Sequence, residues 1–189
     1  MWRIKWSLLI LLLSQAGYGQ SDYISETKGA HELGLSFSGF DDFNLLYKRD
    51  NVKGFRDRHR IIQGDIGYNS NNRDIDLGLG YAYGRERDKG LAENLDFYHG
   101  PELSLFGSYS NALNTIGDRG YVMRLVPSLA YVLGVRLALS DKCYIAAEVL
   151  PAFRTTLVVR DGDLTNFETG VSLNSNSTSL ALMYRFVPD

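Results

Sequence analysis

Apolar and polar residues alternate along most of the chain beyond residue 30. The pattern is clear in the last segment, where one parity carries Leu180, Leu182, Tyr184 and Phe186. The other parity of this segment mixes small, polar and charged residues with Met183. Because successive side chains of a β-strand point to opposite faces, the alternation predicts strands with one apolar face and one mixed face.

Nine segments carry this pattern, and turn-like or charged sequence separates them. They cover residues 31–40, 43–49, 59–69, 75–85, 96–109, 120–139, 143–155, 165–174 and 178–186. Charged connectors are predicted at 50–58 and 86–94, and a loop is predicted at 111–119. In the segment 59–69, the apolar residues Ile62, Ile66 and Tyr68 are predicted to share one face.

The first 19 residues have the pattern of a cleavable secretory signal. Arg3 and Lys5 precede a short apolar run, and small residues at 16–19 offer a cleavage site. The run is too short to cross about 30 Å of hydrocarbon as a helix, which takes roughly 20 residues. We therefore predict a signal peptide over 1–19 and one mature domain over 20–189. No later apolar run approaches the length of a membrane-spanning helix, so any insertion into a membrane must use β-strands.

Composition narrows the class of protein further. The chain has 19 glycines and 12 tyrosines but only 4 prolines, a mix that suits strands and turns. Its net charge of −2 argues against a nucleic-acid partner, which would need a strongly basic face. Cys143 is the only cysteine, so no internal disulfide can form and the domain must close by packing and hydrogen bonds.

These observations together predict an all-β fold, an antiparallel up-and-down transmembrane β-barrel. Single-chain bacterial barrels have even strand numbers, so we predict eight wall strands with both termini at the periplasmic end. Segment 165–174 is then a loop hairpin, or an outer extension of the last strand joined through a bulge. A soluble sandwich is the alternative, but it would carry more Lys and Glu on its solvent face.

The two faces of the predicted barrel have different roles. The outward parity includes tyrosines suited to the membrane interface, namely Tyr81, Tyr83, Tyr109, Tyr121, Tyr131 and Tyr184. The inward parity collects Glu32, Lys48, Asp65, Asp76, Glu86, Glu102, Arg124, Arg136, Glu148 and Arg185. From these we select a candidate lumen charge cluster, formed by Glu102, Arg124, Arg136, Glu148 and Arg185. Since an unpaired buried charge is very costly, the cluster is expected to pair and plug the lumen, or else to line a small selective channel.

Motifs for catalysis or cofactor binding are weak in this sequence. The glycine-rich segment 78–84 lacks the spacing of a phosphate-binding loop. Residues 161–165 resemble the first half of a calcium loop, but Asn166 and Ser172 stand where glycine and glutamate are needed. His31, His59 and His99 have no partner histidine at metal-ligand spacing. We therefore predict no catalytic residues, no cofactor and no metal site.

Over residues 31–186 the chain resembles small outer-membrane β-barrel proteins of Gram-negative bacteria, of the eight-stranded OmpA/OmpX type. The resemblance rests on the signal, on segments 75–85, 127–134 and 137–142, and on the closing residues 184–186. One departure is the tail 187–189, because such chains usually end on the aromatic residue that the barrel-assembly machinery reads. The resemblance implies a monomer in the cell outer membrane, with membrane lipid and the assembly machinery as partners.

Three functions are compatible with such a barrel, since fold alone does not decide function. The first is a structural or cell-surface interaction role, with a plugged lumen and no enzymatic activity. The second is a porin-like small-solute pore. The third is a membrane-embedded lipid-modifying enzyme, which would use a histidine.

Overall fold

The computed structural model describes residues 29–39, 43–51, 54–70, 74–113, 119–172 and 178–186. The predicted signal peptide and the tail 187–189 lie outside these residues. Ten strands are formed: β1 (His31–Phe37), β2 (Phe43–Asp50), β3 (Arg56–Asn69), β4 (Asp74–Ala92), β5 (Leu95–Leu113), β6 (Arg119–Ala138), β7 (Cys143–Val149), β8 (Ala152–Arg160), β9 (Asp163–Ser172) and β10 (Thr178–Phe186). In the part of the chain that is described, no helix is long and apolar enough to cross a membrane.

The strands close into an eight-stranded antiparallel barrel. Consecutive strands pair from β1 to β7, and β10 pairs with both β7 and β1 to complete the ring. Strands β7 and β8 act as one wall strand interrupted at Leu150 and Pro151, because β6 pairs with both of them. The predicted all-β, eight-stranded barrel fold is therefore confirmed, and the soluble sandwich is not formed.

The hydrogen-bond ladder around the wall defines the stagger of the barrel. Followed in one direction from Gly34, the ladder passes Leu46, Arg60, Ala82, Ser104 and Ser128 and reaches Arg154. Followed in the other direction, it passes Met183 and reaches Tyr144. The two arrival points lie on the same wall strand, ten residues apart (154 − 144). This stagger requires strands that tilt strongly against the barrel axis, as closed barrels of this size do.

Strand β9 lies beyond β10 along the same side of the wall. This position matches one of the two predictions for segment 165–174, an outer extension of the last strand. Strand β9 pairs with β8 on the same side of the wall strand on which β10 pairs with β7. Asp161 and Gly162 link β8 to β9, and both have positive φ angles (52° and 96°). A two-residue hairpin turn needs this conformation, so the acidic sequence that resembles a calcium loop begins as a tight turn. The predicted bulge between β9 and β10 falls on residues 173–177, outside the described residues.

Several predicted boundaries were wrong. The charged segment at 86–94 is largely strand, since β4 continues to Ala92, and the segment at 50–58 is strand at both ends, since β2 ends at Asp50 and β3 begins at Arg56. The predicted loop at 111–119 is shortened by strand at both ends. A register shift between Gln63 and Ile66 separates Ile62 from the outward face that Ile66 occupies. A bulge adds a residue to one strand, so the simple alternation that we assumed across this segment fails there.

The outer surface of the barrel is apolar. Large side chains such as Leu79, Leu103 and Tyr131 are exposed, and the exposed fraction of Leu79 is 66%. Soluble monomers rarely expose continuous apolar surface on this scale. The inner face carries small residues, charges and a short apolar cluster that includes Leu46, Tyr98 and Met183.

Candidate functional site

The lumen contains a network of buried charged side chains to which every wall strand contributes. In strand order they are Glu32, Lys48, Arg56 and Arg58, Glu86, Glu102, Arg136, Glu148 and Arg185, and each is at most 8% exposed. They share the inward parity of their strands, and the tilt of the strands brings side chains that are far apart in sequence together. We call these nine residues the lumen network.

Arg58 is at the centre of the lumen network. Its Nε donates to Glu102 Oε2 at 2.7 Å, and its Nη2 donates to Glu148 Oε2 at 2.8 Å. A second nitrogen, Nη1, donates to Glu148 Oε1, which makes this pair bidentate. Two planar groups that interlock in this way are fixed in orientation as well as in distance.

Glu148 accepts further polar contacts that complete its surroundings. The Tyr98 hydroxyl donates to Glu148 Oε1 at 2.6 Å. Lys48 Nζ lies 2.9 Å from Glu86 Oε1 and 3.7 Å from Glu148 Oε1, and it also lies 4.3 Å from the centre of the Tyr98 ring. A Cβ atom at Gly134 would overlap the Tyr98 ring, so glycine leaves the space that this ring occupies.

A second group of ion pairs closes the end of the lumen where β1 begins and β10 ends, which is the end near the termini of the described barrel. Glu32 accepts from Arg185 Nη2 at 2.8 Å and from the Tyr144 hydroxyl at 2.6 Å. Arg56 Nη1 lies 3.5 Å from Glu32, and its Nη2 lies 3.0 Å from Asp88. Arg136 pairs with Asp88 through Nη2 and with Asp96 through Nε, each at 2.9 Å.

The pairs form one continuous set, since Arg56 and Glu86 connect the second group to Lys48 and Arg58. Buried charges are costly unless they are paired, and each carboxylate of the network lies within 4 Å of a cation, although both oxygens of Glu86 have no hydrogen-bond partner among the described residues. An eight-stranded barrel has an interior just wide enough for side chains. The lumen network therefore fills the cross-section of the barrel with interlocked side chains.

The structure separates the predicted lumen charge cluster into two parts. Glu102, Arg136, Glu148 and Arg185 lie in the lumen network. Arg124 does not lie there, because it is exposed and lines the cavities farther from the termini. It lies near the start of β6, twelve positions before Arg136 along the same face.

Sequence reasoning missed the central cations. Arg56 and Arg58 fell in a segment taken for a connector, although Arg56, Arg58 and Arg60 alternate with residues of the other parity. That period of two was the signal that could have extended β3 toward the N-terminus. Asp88 was missed for the same reason, since β4 runs farther than predicted, whereas Asp96 began a predicted strand and was not counted among its inward charges.

Two open cavities lie beyond the lumen network. The first, of about 350 Å³, adjoins the network through Arg60, whose Nη2 pairs with Glu102. The second, of about 480 Å³, is lined by Asp65 and Asp76 among others, and Arg124 lines both cavities. The network thus occupies the lumen at the end where β1 begins and β10 ends, and both cavities lie farther toward the other end.

The three histidines lie outside the lumen network, against tyrosine hydroxyls. His59 Nδ1 and Tyr81 Oη are 2.6 Å apart, and His99 Nδ1 and Tyr131 Oη are 2.7 Å apart. His31 Nδ1 has the same kind of contact with Tyr47. Within the described residues, no group of three or more His, Cys, Asp or Glu side chains is placed to hold a metal ion.

Comparison with known proteins gives no assignment: no protein-family model matches the chain, and no curated protein matches it. Function must therefore be inferred from the geometry of the barrel and from the chemistry of its lumen.

Proposed function

We propose that this chain is a monomeric outer-membrane β-barrel protein of a Gram-negative bacterium with a structural or cell-surface interaction role. Its lumen is closed by the lumen network, so it does not conduct. The observation that carries this proposal is the coexistence of an apolar outer face with a fully paired, buried charge network inside the same closed wall. The proposal implies outer-membrane lipid around the barrel and the barrel-assembly machinery during its biogenesis.

The apolar outer face supports membrane placement. Leu33, Leu105 and Leu182 lie on different strands and are each at least 40% exposed. In water this surface would have to be covered, whereas in a bilayer a closed barrel satisfies every backbone group and exposes only apolar side chains to lipid.

A surface interaction role is supported by the end of the barrel that lies away from the start of β1 and the end of β10. Strands β4, β5 and β6 are 19 to 20 residues long, whereas β1, β2 and β10 have 7 to 9. At about 3.3 Å per residue, the long strands carry one side of the wall far beyond the other. The β8–β9 hairpin lies on the side of the wall formed by the long strands, because β8 pairs with β6. Shortening this hairpin around residues 160–164 should impair partner binding and leave the rest of the barrel intact.

The second candidate is a small-solute pore, and the two cavities beyond the network favour it. A pore would require the Arg58–Glu148 and Lys48–Glu86 pairs to open together. It predicts ion conductance that changes when Glu102 or Glu148 is neutralised. The third candidate, a lipid-modifying enzyme, predicts altered lipid A in cells that lack the protein, and loss of that change when one histidine is replaced.

Cell fractionation tests the proposed placement. The full chain, expressed in a Gram-negative host, is expected in the outer-membrane fraction as a form that lacks residues 1–19 and is heat-modifiable on gels. A variant without residues 2–19 is the control and should stay in the cytoplasm. Recovery of the processed wild-type chain as soluble periplasmic protein would contradict the proposal.

A further inference from the structure

The cavity of about 350 Å³ beside the lumen network has an excess of positive charge. Arg60, Arg124 and Arg154 line it, and none of its lining residues is an acid. Arg60 donates to Glu102 through Nη2, yet its Nε is buried without a hydrogen-bond partner. Among the described residues, no ion pair is formed by Arg124 or Arg154. Three guanidinium groups are thus gathered around a space that has no counter-charge of its own.

The rest of the cavity lining is of two kinds. The hydroxyls of Ser104 and Ser128 bond to each other and face the same space. Phe106, Val126 and Leu150 supply apolar surface. Guanidinium groups recognise carboxylate and phosphate oxygens, and apolar walls accept a hydrocarbon chain. The combination fits an amphiphile with an anionic head better than it fits a small polar solute.

Next to this cavity, the strand pairing of the described residues ends on both sides. Strand β2 pairs with β3 only as far as Asn44 and Ile62, and beyond that point β3 pairs with β4 alone. Strand β9 pairs with β8 on one side, and residues 163–171 have no strand on the other side among the described residues. The short strands β1, β2 and β10 lie between these two edges. Ser38, just after β1, and Asn44, near the start of β2, line the cavity, so the cavity lies next to this part of the wall.

We propose that this cavity binds a single-chain amphiphile with an anionic phosphate or carboxylate head, which Arg60, Arg124 and Arg154 hold. The head replaces the missing counter-charge, and the chain lies against Phe106 and Val126. Delivery of the amphiphile from lipid rests on the proposed membrane placement, whereas the binding site itself does not.

Binding measured in phosphatidylcholine nanodiscs, with empty nanodiscs as the blank, tests this site. The probes are dodecyl phosphate, dodecanol with the same chain and no charge, and inorganic phosphate with the charge and no chain. We expect dodecyl phosphate to bind best, and Arg154→Gln to weaken it about tenfold, as loss of a charge-assisted hydrogen bond does. Arg160→Gln is the matched control, since Arg160 has the same parity on β8 but does not line the cavity. It should leave binding unchanged.

Each other outcome overturns the inference. Equal binding of dodecanol and dodecyl phosphate would mean that the arginines do not select the head. Binding of inorganic phosphate as tight as that of dodecyl phosphate would mean a site for free anions. Equal loss in Arg154→Gln and Arg160→Gln would mean a diffuse charge effect. Folding of each variant and membrane placement are read separately, from heat-modifiability and protease protection of the same nanodiscs, so failure of the placement is distinguishable from failure of the site.

Discussion

Replacing Arg58 with methionine is expected to destabilise the folded barrel by about 3–5 kcal/mol, the usual effect of removing one partner of a buried ion pair. Arg58 is 1% exposed and pairs with both Glu102 and Glu148. Methionine keeps much of the volume but leaves two buried carboxylates without their main cation. The measurement is the free energy of unfolding from urea titration of the protein folded in vesicles.

Arg85→Met is the matched control for this prediction. Arg85 pairs with Asp57 at 3.0 Å, but its side chain is 57% exposed. This pair lies outside the lumen network and is not buried, so the control should change the free energy of unfolding much less than Arg58→Met does. In the double variant Arg58→Met with Glu148→Gln, part of the loss should be recovered, because fewer charges remain unpaired. Equal losses in Arg58→Met and Arg85→Met would contradict the assignment of Arg58 to a buried network.

Leu79→Arg should lower the stability of the bilayer-folded protein by about 2–4 kcal/mol if residue 79 lies near the bilayer midplane. Leu79 is on the outer face of β4, and 66% of its surface is exposed. In a bilayer this exposed surface contacts hydrocarbon, where a guanidinium group is costly. The free energy of folding into phosphatidylcholine vesicles measures the effect.

Two comparisons make the Leu79 prediction specific. Leu79→Val keeps an apolar side chain and should fold nearly as well as the wild type. Gly80→Arg changes the opposite face, where a Cβ atom would lie 3.0 Å from Leu105 O and from the Phe106 ring, so it should act through crowding in the lumen. If Leu79→Arg and Leu79→Val folded equally well in the bilayer assay, the assignment of this face to lipid would fail.

Alternation along the strands was enough to predict much of the wall from sequence. It placed Glu102 and Glu148 on the inner face and Leu103 and Phe153 on the outer face, where the structure has them. The even-number rule gave the strand count, because a closed barrel in which neighbouring strands are antiparallel cannot have an odd number. Both inferences use properties that hold locally or for the whole class of barrels.

The remaining features depend on distances that one sequence does not contain. Arg58 meets Glu148 across 90 positions only because of the stagger of ten residues around the wall. Gly64 lies within the bulge between Gln63 and Ile66, but glycine also occurs at regularly paired strand positions such as Gly78 and Gly80, so it did not reveal the bulge. The cavity brings together Arg60 on β3 and Arg154 on β8, which are not neighbouring strands of the wall, so their proximity could not be predicted from one sequence.

The most direct measurement of the central claim is the single-channel conductance of the purified, heat-modifiable protein in a planar bilayer. The lumen network fills the cross-section with paired side chains, so we expect insertion without a steady conductance. Insertion is checked independently by protease protection of the same preparation. A steady and reproducible conductance of the inserted wild-type protein would contradict a closed lumen and would favour the pore.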